Sequence, residues 1–149
     1  MIAAAASGSA LVSESRALVL DTNIVLDLFV FGDPAALPVQ HALQQGALHW
    51  IATQAMRDEL ARVLAYPQIV KSLTHHQIGA EQVLAHFDAQ ARLCEVAPKA
   101  SVTCKDPDDQ KFIDLAVAHA AHLLSKDKAV LCMQKRLLTL GVFAQAAMK

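Results

Sequence analysis

The sequence predicts an α/β fold, arranged as three layers (α/β/α) around a central, mostly parallel sheet of about four to five strands. Two observations support this prediction. Short apolar runs, typical of buried strands, alternate along the chain with stretches of helical apolar spacing, which is the element order of layered α/β proteins. The first run is continuous rather than alternating, as expected of a strand covered on both faces of a parallel sheet.

The first half of the chain follows this alternation. Its predicted elements are a strand at residues 17–20, helices at 24–31 and 35–45, a strand at 48–52 and a helix that follows Thr53 and ends near Tyr66. The breaker run Gly32, Asp33 and Pro34 separates the two early helices. Pro67 cannot continue the later helix, because it lacks the backbone N–H that a helix interior needs. Trp50 is predicted to be a core residue.

The second half continues the pattern. Its predicted elements are a helix from Thr74 to about residue 93, a strand at 94–97, a helix after Asp106, a strand at 122–125, a helix at 129–138 and an edge strand at 141–143. Thr74 and Gln77 have the spacing of a capping box, which predicts a helix start. Asp106 before Pro107 also predicts one, through an Asx cap and a proline at the first helical position.

Length and composition favour one domain over residues 17–149, preceded by a flexible tail over residues 1–16. The tail has no basic residue before Arg16 and no sustained apolar run, unlike a secretory signal. No stretch reaches the ~18 uninterrupted apolar residues of a membrane span. The three cysteines form no CxxC pair, which favours reduced thiols. We therefore expect a cytoplasmic protein without a membrane segment.

The net charge of −1 excludes a protein that coats nucleic acid through a general excess of positive charge. Six of the thirteen Lys and Arg residues nevertheless lie between Lys105 and Arg136, in the segment richest in acidic residues. Such mixing suits phosphate contacts beside a metal site. A solvated, charge-balanced surface is the plainer alternative.

Four acidic residues stand at the ends or borders of predicted elements. Asp21 follows the first strand, Glu59 lies on a helix, Asp109 opens another helix and Asp127 follows a late strand. In an open parallel sheet, the carboxyl ends of the strands meet in one crevice. Carboxylates gathered there repel one another unless a cation neutralises them. Oxygen ligands without paired Cys or His favour Mg²⁺ or Mn²⁺, which activate water for in-line displacement at phosphorus.

Each acid also has a plainer interpretation. Asp21 and Asp127 suit a helix cap or a turn, and Glu59 suits an ordinary solvated helix position. The acids that open the helix at 106–109 suit its dipole, and for Asp106 the cap is the preferred role. It is the joint order of the acids that favours a metal site.

Four segments together resemble the PIN-domain family, which is similar to 5′-nucleases, and in particular bacterial PIN toxins of toxin–antitoxin systems. These segments are VLDTN (19–23), MRDELARVL (56–64), DPDDQKFIDLA (106–116) and LLSKDKAVL (123–131). The resemblance spans residues 17–143. It implies an endoribonuclease that hydrolyses RNA phosphodiester bonds with Mg²⁺ or Mn²⁺. By position, it implies catalytic metal ligands at Asp21, Glu59, Asp109 and Asp127.

The resemblance also implies supporting residues and partners. Asn23 and Ser125 would support the site by hydrogen bonding, although both also suit turns. Asp108, adjacent to Asp109, leaves the register of the third acid open. Relatives often carry a glycine or arginine before the last acid, where this chain has Lys126. The implied partners are an RNA substrate, an antitoxin protein and a second copy of the chain in a homodimer.

Two alternative functions are a non-catalytic binding domain and a phosphatase. A non-catalytic domain of the same fold would bind RNA or a protein partner without cutting, since a fold does not establish an activity. A phosphatase of the haloacid-dehalogenase type needs a second Asp two residues after the first, where this chain has Asn23. Dinucleotide and triphosphate binding are disfavoured because neither GxGxxG nor GxxxxGK[ST] occurs.

Overall fold

The computed structural model describes residues 15–148, and within them five parallel strands form one sheet. The strands are β1 (Arg16–Leu20), β2 (Leu48–Ala52), β3 (Arg92–Leu93), β4 (His122–Leu124) and β5 (Phe143–Gln145), in the order β3-β2-β1-β4-β5. The predicted α/β class and the parallel sheet of four to five strands are confirmed. Residues 17–20 of the central strand β1 are all buried, so both of its faces are covered.

Eight α-helices occur in the described part of the chain. They are α1 (Thr22–Leu26), α2 (Leu37–Gln44), α3 (Gln54–Leu64), α4 (Pro67–His75), α5 (Ala80–Gln90), α6 (Gln110–His119), α7 (Lys128–Leu131) and α8 (Gln134–Thr139). A π-helical turn, Asp27–Phe31, extends α1. It ends at Gly32, whose φ of 60° lies in the left-handed region that glycine adopts without strain. The 3₁₀ turns Pro34–Ala36 and Pro107–Asp109 precede α2 and α6.

The predicted helix start at Thr74 is wrong. Thr74 lies inside α4, where its hydroxyl donates to the carbonyl of Val70 at 3.0 Å. Pro67 is the first residue of this helix, a position at which the missing N–H of proline costs no intrahelical hydrogen bond. Pro67 also prevents α3 from continuing. The next helix, α5, starts after Gly79, whose N–H donates to Oε1 of Gln82 at 2.7 Å.

Two predicted strand positions are also shifted. The strand predicted at 94–97 is β3, Arg92–Leu93, and both of its residues are exposed, so no apolar run marks it. The edge strand predicted at 141–143 is β5, Phe143–Gln145. Gly141 has a φ of 84°, which places it in a turn rather than in the strand.

The core lies on both sides of the sheet's centre, and its largest side chains hold the helices that flank the strand ends. Trp50 is 1% exposed, which confirms its predicted place in the core. Its ring meets Phe87 edge to face at 5.0 Å and stacks on Phe29 at 6.0 Å, so β2 is tied to α5 and to the π-helical turn. Phe112, on α6, is equally buried.

The predicted tail, residues 1–16, lies outside the described residues except for Ser15 and Arg16, and Arg16 is the first residue of β1. Within residues 15–148, no single helix is long and apolar enough to cross a membrane. Only the pair Thr22–Phe31 and Pro34–Gln44, bent by 113°, has the length and composition to do so jointly.

Candidate metal centre

The carboxyl ends of β1 and β4 lie side by side. Leu20 is in register with Leu124, and the backbone N–H of Asp21 donates to the carbonyl of Leu124 at 3.0 Å. The residues that follow the two strands are therefore neighbours. The buried hydroxyl of Ser125 donates to Oδ2 of Asp21 at 2.6 Å and accepts from the N–H of Asp127 at 3.1 Å.

A polar cleft of about 370 Å³ opens at this end of the sheet. Its lining residues are Asp21, Thr22, Asn23, Glu59, Arg62, Tyr66, Asp108, Asp109 and Asp127. All four acids predicted as metal ligands are among them, and so are the supporting candidates Asn23 and Asp108. The third supporting candidate, Ser125, contacts the cleft acids from a buried position, at 1% exposure.

Asp21 serves both the fold and the cleft. It caps α1, because its Oδ1 accepts from the backbone N–H of Asn23 at 3.4 Å. Burial raises the pKa of Asp21, the bonds from Ser125 and Asn23 oppose that rise, and the charges of Glu59 and Asp127 add to it. At 5% exposure, the ionised carboxylate therefore needs nearby positive charge.

Of the four predicted acids, Asp109 is the one that a bound cation would stabilise most. It is 6% exposed, and its Oδ2 is buried without a hydrogen-bond partner among the described residues. Burial raises the pKa of Asp109 to about 8, with further contributions from its hydrogen bond to Asp127 and from the charge of Asp21. The hydrogen bond from Asp109 and the N–H of Ala129 lower the pKa of Asp127. Of this pair, Asp109 therefore holds a proton more readily than Asp127.

A trio of carboxylates, Asp106, Asp109 and Asp127, brings one oxygen from each residue within 4.8 Å of the others. Asp106 also caps the following turn, where it accepts from the N–H of Asp108 at 2.9 Å, as its position in the sequence predicts. The helix-cap assignment alone therefore underestimates Asp106. The three-residue spacing of the first and last acids in DPDD was the available signal. Asp108 is exposed and lies outside the trio.

Glu59, on α3, is held by two residues that the sequence did not single out. Its Oε2 accepts from the hydroxyl of Thr22 at 2.5 Å, and its Oε1 accepts from the ammonium of Lys111 at 2.5 Å. Thr22 lies within the segment VLDTN, so its hydroxyl was a visible signal. Lys111 belongs to the basic segment between Lys105 and Arg136, but its contact with Glu59 was not predicted, because that contact depends on how α3 and α6 meet.

Arg62 and Tyr66 also line the cleft, and neither was among the predicted site residues. Arg62 follows Glu59 by three residues on the same side of α3, and Tyr66 lies just before Pro67, where α4 begins. Both are exposed, Tyr66 by 48%. A guanidinium and an aromatic ring thus stand beside the acids.

The residues of the cleft fit a hard divalent cation. The candidate ligands are carboxylate oxygens, without Cys or His, which is the donor set of Mg²⁺ and Mn²⁺. The partnerless oxygen of Asp109 is the feature that a cation would satisfy.

A family model described as a PIN domain matches residues 17–129. The matched segment is more than half of the chain and contains every acid of the cleft. No curated protein matches the chain.

Proposed function

Because the chain belongs to the PIN-domain family, whose members are in general metal-dependent nucleases, we propose that it is an endoribonuclease that uses Mg²⁺ or Mn²⁺ to hydrolyse RNA phosphodiester bonds. The observation that supports this most is the buried oxygen of Asp109, which lacks a partner in the described structure and belongs to a carboxylate trio. An unsatisfied buried carboxylate destabilises a fold, so its presence here is best explained by a ligand.

The proposed ligands are Asp21, Asp109 and Asp127, with Asp106 beside them and Glu59 as the fourth predicted acid in the same cleft. When bound, the cation supplies charge neutralisation for phosphate and water activated near neutral pH. The protein's own contribution is positioning. Ser125 is hydrogen-bonded both to the carboxylate of Asp21 and to the backbone N–H of Asp127. It therefore holds two of the proposed ligands at a fixed relative position.

Arg62 and Tyr66 suit a single-stranded nucleic acid at the cleft wall. Arg62 forms no ion pair within the described residues, so its guanidinium is free to bind a phosphate. The ring of Tyr66 is exposed beside the acids, where an unstacked base can lie on it. RNA rather than DNA is proposed from the likeness of the four motif segments to RNA-cutting PIN toxins.

We also propose that the chain is the toxin of a toxin–antitoxin system, acts in the cytoplasm and forms homodimers. Its three free cysteines fit a reducing compartment. Exposed apolar side chains on helices, such as Leu37 at 50% and Val70 at 45%, offer surface for an antitoxin segment or a second copy. Expression of the wild type, but not of Asp109→Asn, should arrest growth, and sedimentation should give twice the chain mass.

The test of the nuclease is cleavage of a labelled single-stranded RNA, beside DNA of the same sequence. The samples are wild type, Asp21→Asn, Asp109→Asn and Asp58→Asn, in Mn²⁺, Mg²⁺ or EDTA. Asp58 is an exposed acid on α3 outside the cleft, so its variant is the matched control. We expect cutting by wild type and Asp58→Asn with metal only, and rates at least about a hundredfold lower in the other two.

A wild type that binds Mn²⁺ and RNA without cutting would contradict the proposal. The chain would then be a non-catalytic binding domain of the same fold. Thermal melting of the same samples separates loss of folding from loss of activity.

A further inference from the structure

Glu59 is the one acid of the predicted set whose two oxygens both have strong partners. The ammonium of Lys111 lies 2.5 Å from Oε1, and the hydroxyl of Thr22 lies 2.5 Å from Oε2. Both groups donate, so the carboxylate is neutralised and hydrogen-bonded. In this state Glu59 has little capacity left for a metal ion.

Lys111 is fixed rather than free to swing away. Its ammonium also donates to the backbone carbonyl of Asp108 at 2.5 Å and lies 4.8 Å from the centre of the Phe112 ring. Its side chain is only 28% exposed. Three partners, on α3, on the 3₁₀ turn and on α6, therefore hold one positive charge at the edge of the cleft, in the first turn of α6.

The other side of the acid set has no such charge. The trio of Asp106, Asp109 and Asp127 contains a buried oxygen without a partner, and none of its members forms an ion pair with Lys or Arg in the described structure. Charge compensation therefore differs between the two sides of the cleft. The ammonium of Lys111 compensates the charge of Glu59, whereas no Lys or Arg of the described residues forms an ion pair with Asp109.

We propose that Lys111 takes the place of a second metal ion at Glu59, so that the cleft binds a single divalent cation, on the side of Asp109 and Asp127. A second cation beside Glu59 would have to displace the ammonium or share the carboxylate with it, against the repulsion of like charges. The inference rests on the proposed metal centre and sets its stoichiometry.

The test counts bound Mn²⁺ directly, from the electron paramagnetic resonance signal of the free ion during a titration. The samples are wild type, Lys111→Met, Lys111→Arg, Glu59→Gln and the double variant Lys111→Met/Glu59→Gln. Lys135 is an exposed residue of α8, so Lys135→Met is the control for removal of a lysine charge. Circular dichroism melting verifies that each sample is folded.

One ion is expected for wild type, Lys111→Arg and Lys135→Met, and two are expected for Lys111→Met, where Glu59 is free. The second ion should be absent from the double variant. Two ions in wild type, or one ion in folded Lys111→Met, would overturn the inference and leave the metal centre standing. No ion in wild type would overturn the metal centre as well.

Glu59→Gln gives an independent result that does not need Lys111→Met to fold. If Glu59 is not a ligand of the bound ion, this variant should keep Mn²⁺ affinity within about fivefold of wild type. Asp109→Asn should lower the affinity by far more, at least about tenfold to a hundredfold. Equal losses in the two variants would show that Glu59 is a direct ligand and would refute the role given to Lys111.

Discussion

The hydroxyl of Ser125 donates a 2.6 Å hydrogen bond to Oδ2 of Asp21, although 104 positions separate the two residues in the sequence. The bond is buried and joins the ends of two neighbouring strands, β1 and β4. The same hydroxyl accepts from the N–H of Asp127. A single side chain thus sets the spacing of two acids that belong to different parts of the chain.

Ser125→Ala should destabilise the metal-free protein by about 1–3 kcal/mol, because it removes a donor from a buried carboxylate. It should also weaken Mn²⁺ binding, since the Ser125 bond lowers the pKa of Asp21 and its loss favours the protonated acid. Urea unfolding in EDTA and a Mn²⁺ titration measure the two effects. Ser72→Ala removes only a hydroxyl bond to the carbonyl of Gln68 on the same helix and should change stability by less than about 0.5 kcal/mol. Equal changes in both variants would contradict the role of Ser125.

Asp109→Asn should stabilise the metal-free protein by about 2 kcal/mol at pH 8.5, with a gain that shrinks toward pH 5. The folded pKa of Asp109 is about 8, above the value of about 4 for an unfolded Asp. Folding therefore favours the protonated acid, and its contribution to stability is lost as the pH rises through 8. The lowered pKa of Asp127 acts in the opposite direction and limits the net effect.

Urea unfolding of this variant in EDTA at several pH values provides the measurement. Asp58→Asn is the matched control, because Asp58 is exposed. The same gain in both variants, or a gain independent of pH, would argue against a buried protonated Asp109.

Mn²⁺ should bind wild type more tightly as the pH rises from 6 to 8, by up to about tenfold per pH unit, because Asp109 must lose its proton to become a ligand. Calorimetry at pH 7 in buffers of different ionisation enthalpy should detect release of up to about one proton per ion. Asp109→Asn should show neither effect. Binding heats that do not depend on the buffer would contradict a ligand that is protonated in the free protein.

Substitutions at Arg62 and Tyr66 should weaken RNA binding in different ways. Arg62→Gln should reduce the slope of log affinity against log salt by about one, since one phosphate contact is lost. Tyr66→Ala should lower affinity by about 1–3 kcal/mol, whereas Tyr66→Phe keeps the ring and most of the affinity. Fluorescence anisotropy with a single-stranded RNA in the Asp109→Asn background measures binding without cleavage.

Arg136 is an exposed residue of α8, so Arg136→Gln is the control for loss of an arginine charge. An equal loss of affinity from Arg136→Gln and Arg62→Gln would mean that RNA does not follow the wall of the cleft. An unchanged affinity in Tyr66→Ala would exclude base stacking on Tyr66.

The gathering of acids in one cleft was predictable because it follows from strand direction. Asp21 and Asp127 come after apolar runs, and parallel strands bring their carboxyl ends to one edge. The Lys111 contact was not predictable, since it depends on the packing of α6 against α3, which residue spacing does not specify. For Asp106 the cap was the preferred role and a place among the site acids the weaker one, because its capping pattern is strong. A cap leaves its second oxygen free for other partners.

Helices and strands were predictable where burial imposes a pattern. β1 and β2 have nearly continuous buried runs and were placed within one residue. β3 has two exposed residues at the sheet edge, so hydrophobicity carries no signal there. The capping-box motif was assigned to Thr74 instead of Gly79, because glycine has no side-chain oxygen to complete that motif. Because the helix already begins at Pro67, Thr74 lies inside it and cannot be a helix start.

The pairing of Leu20 with Leu124 also has a kinetic consequence. Joining β1 to β4 closes a loop of about a hundred residues, and non-local pairings of this kind form more slowly than local contacts. A nascent chain that has emerged only through α5 contains Asp21 and Glu59 but neither Asp109 nor Asp127. Under the proposed function, the growing chain therefore cannot cut the message that encodes it. On the same proposal, nuclease activity would begin only after translation has passed the last acid.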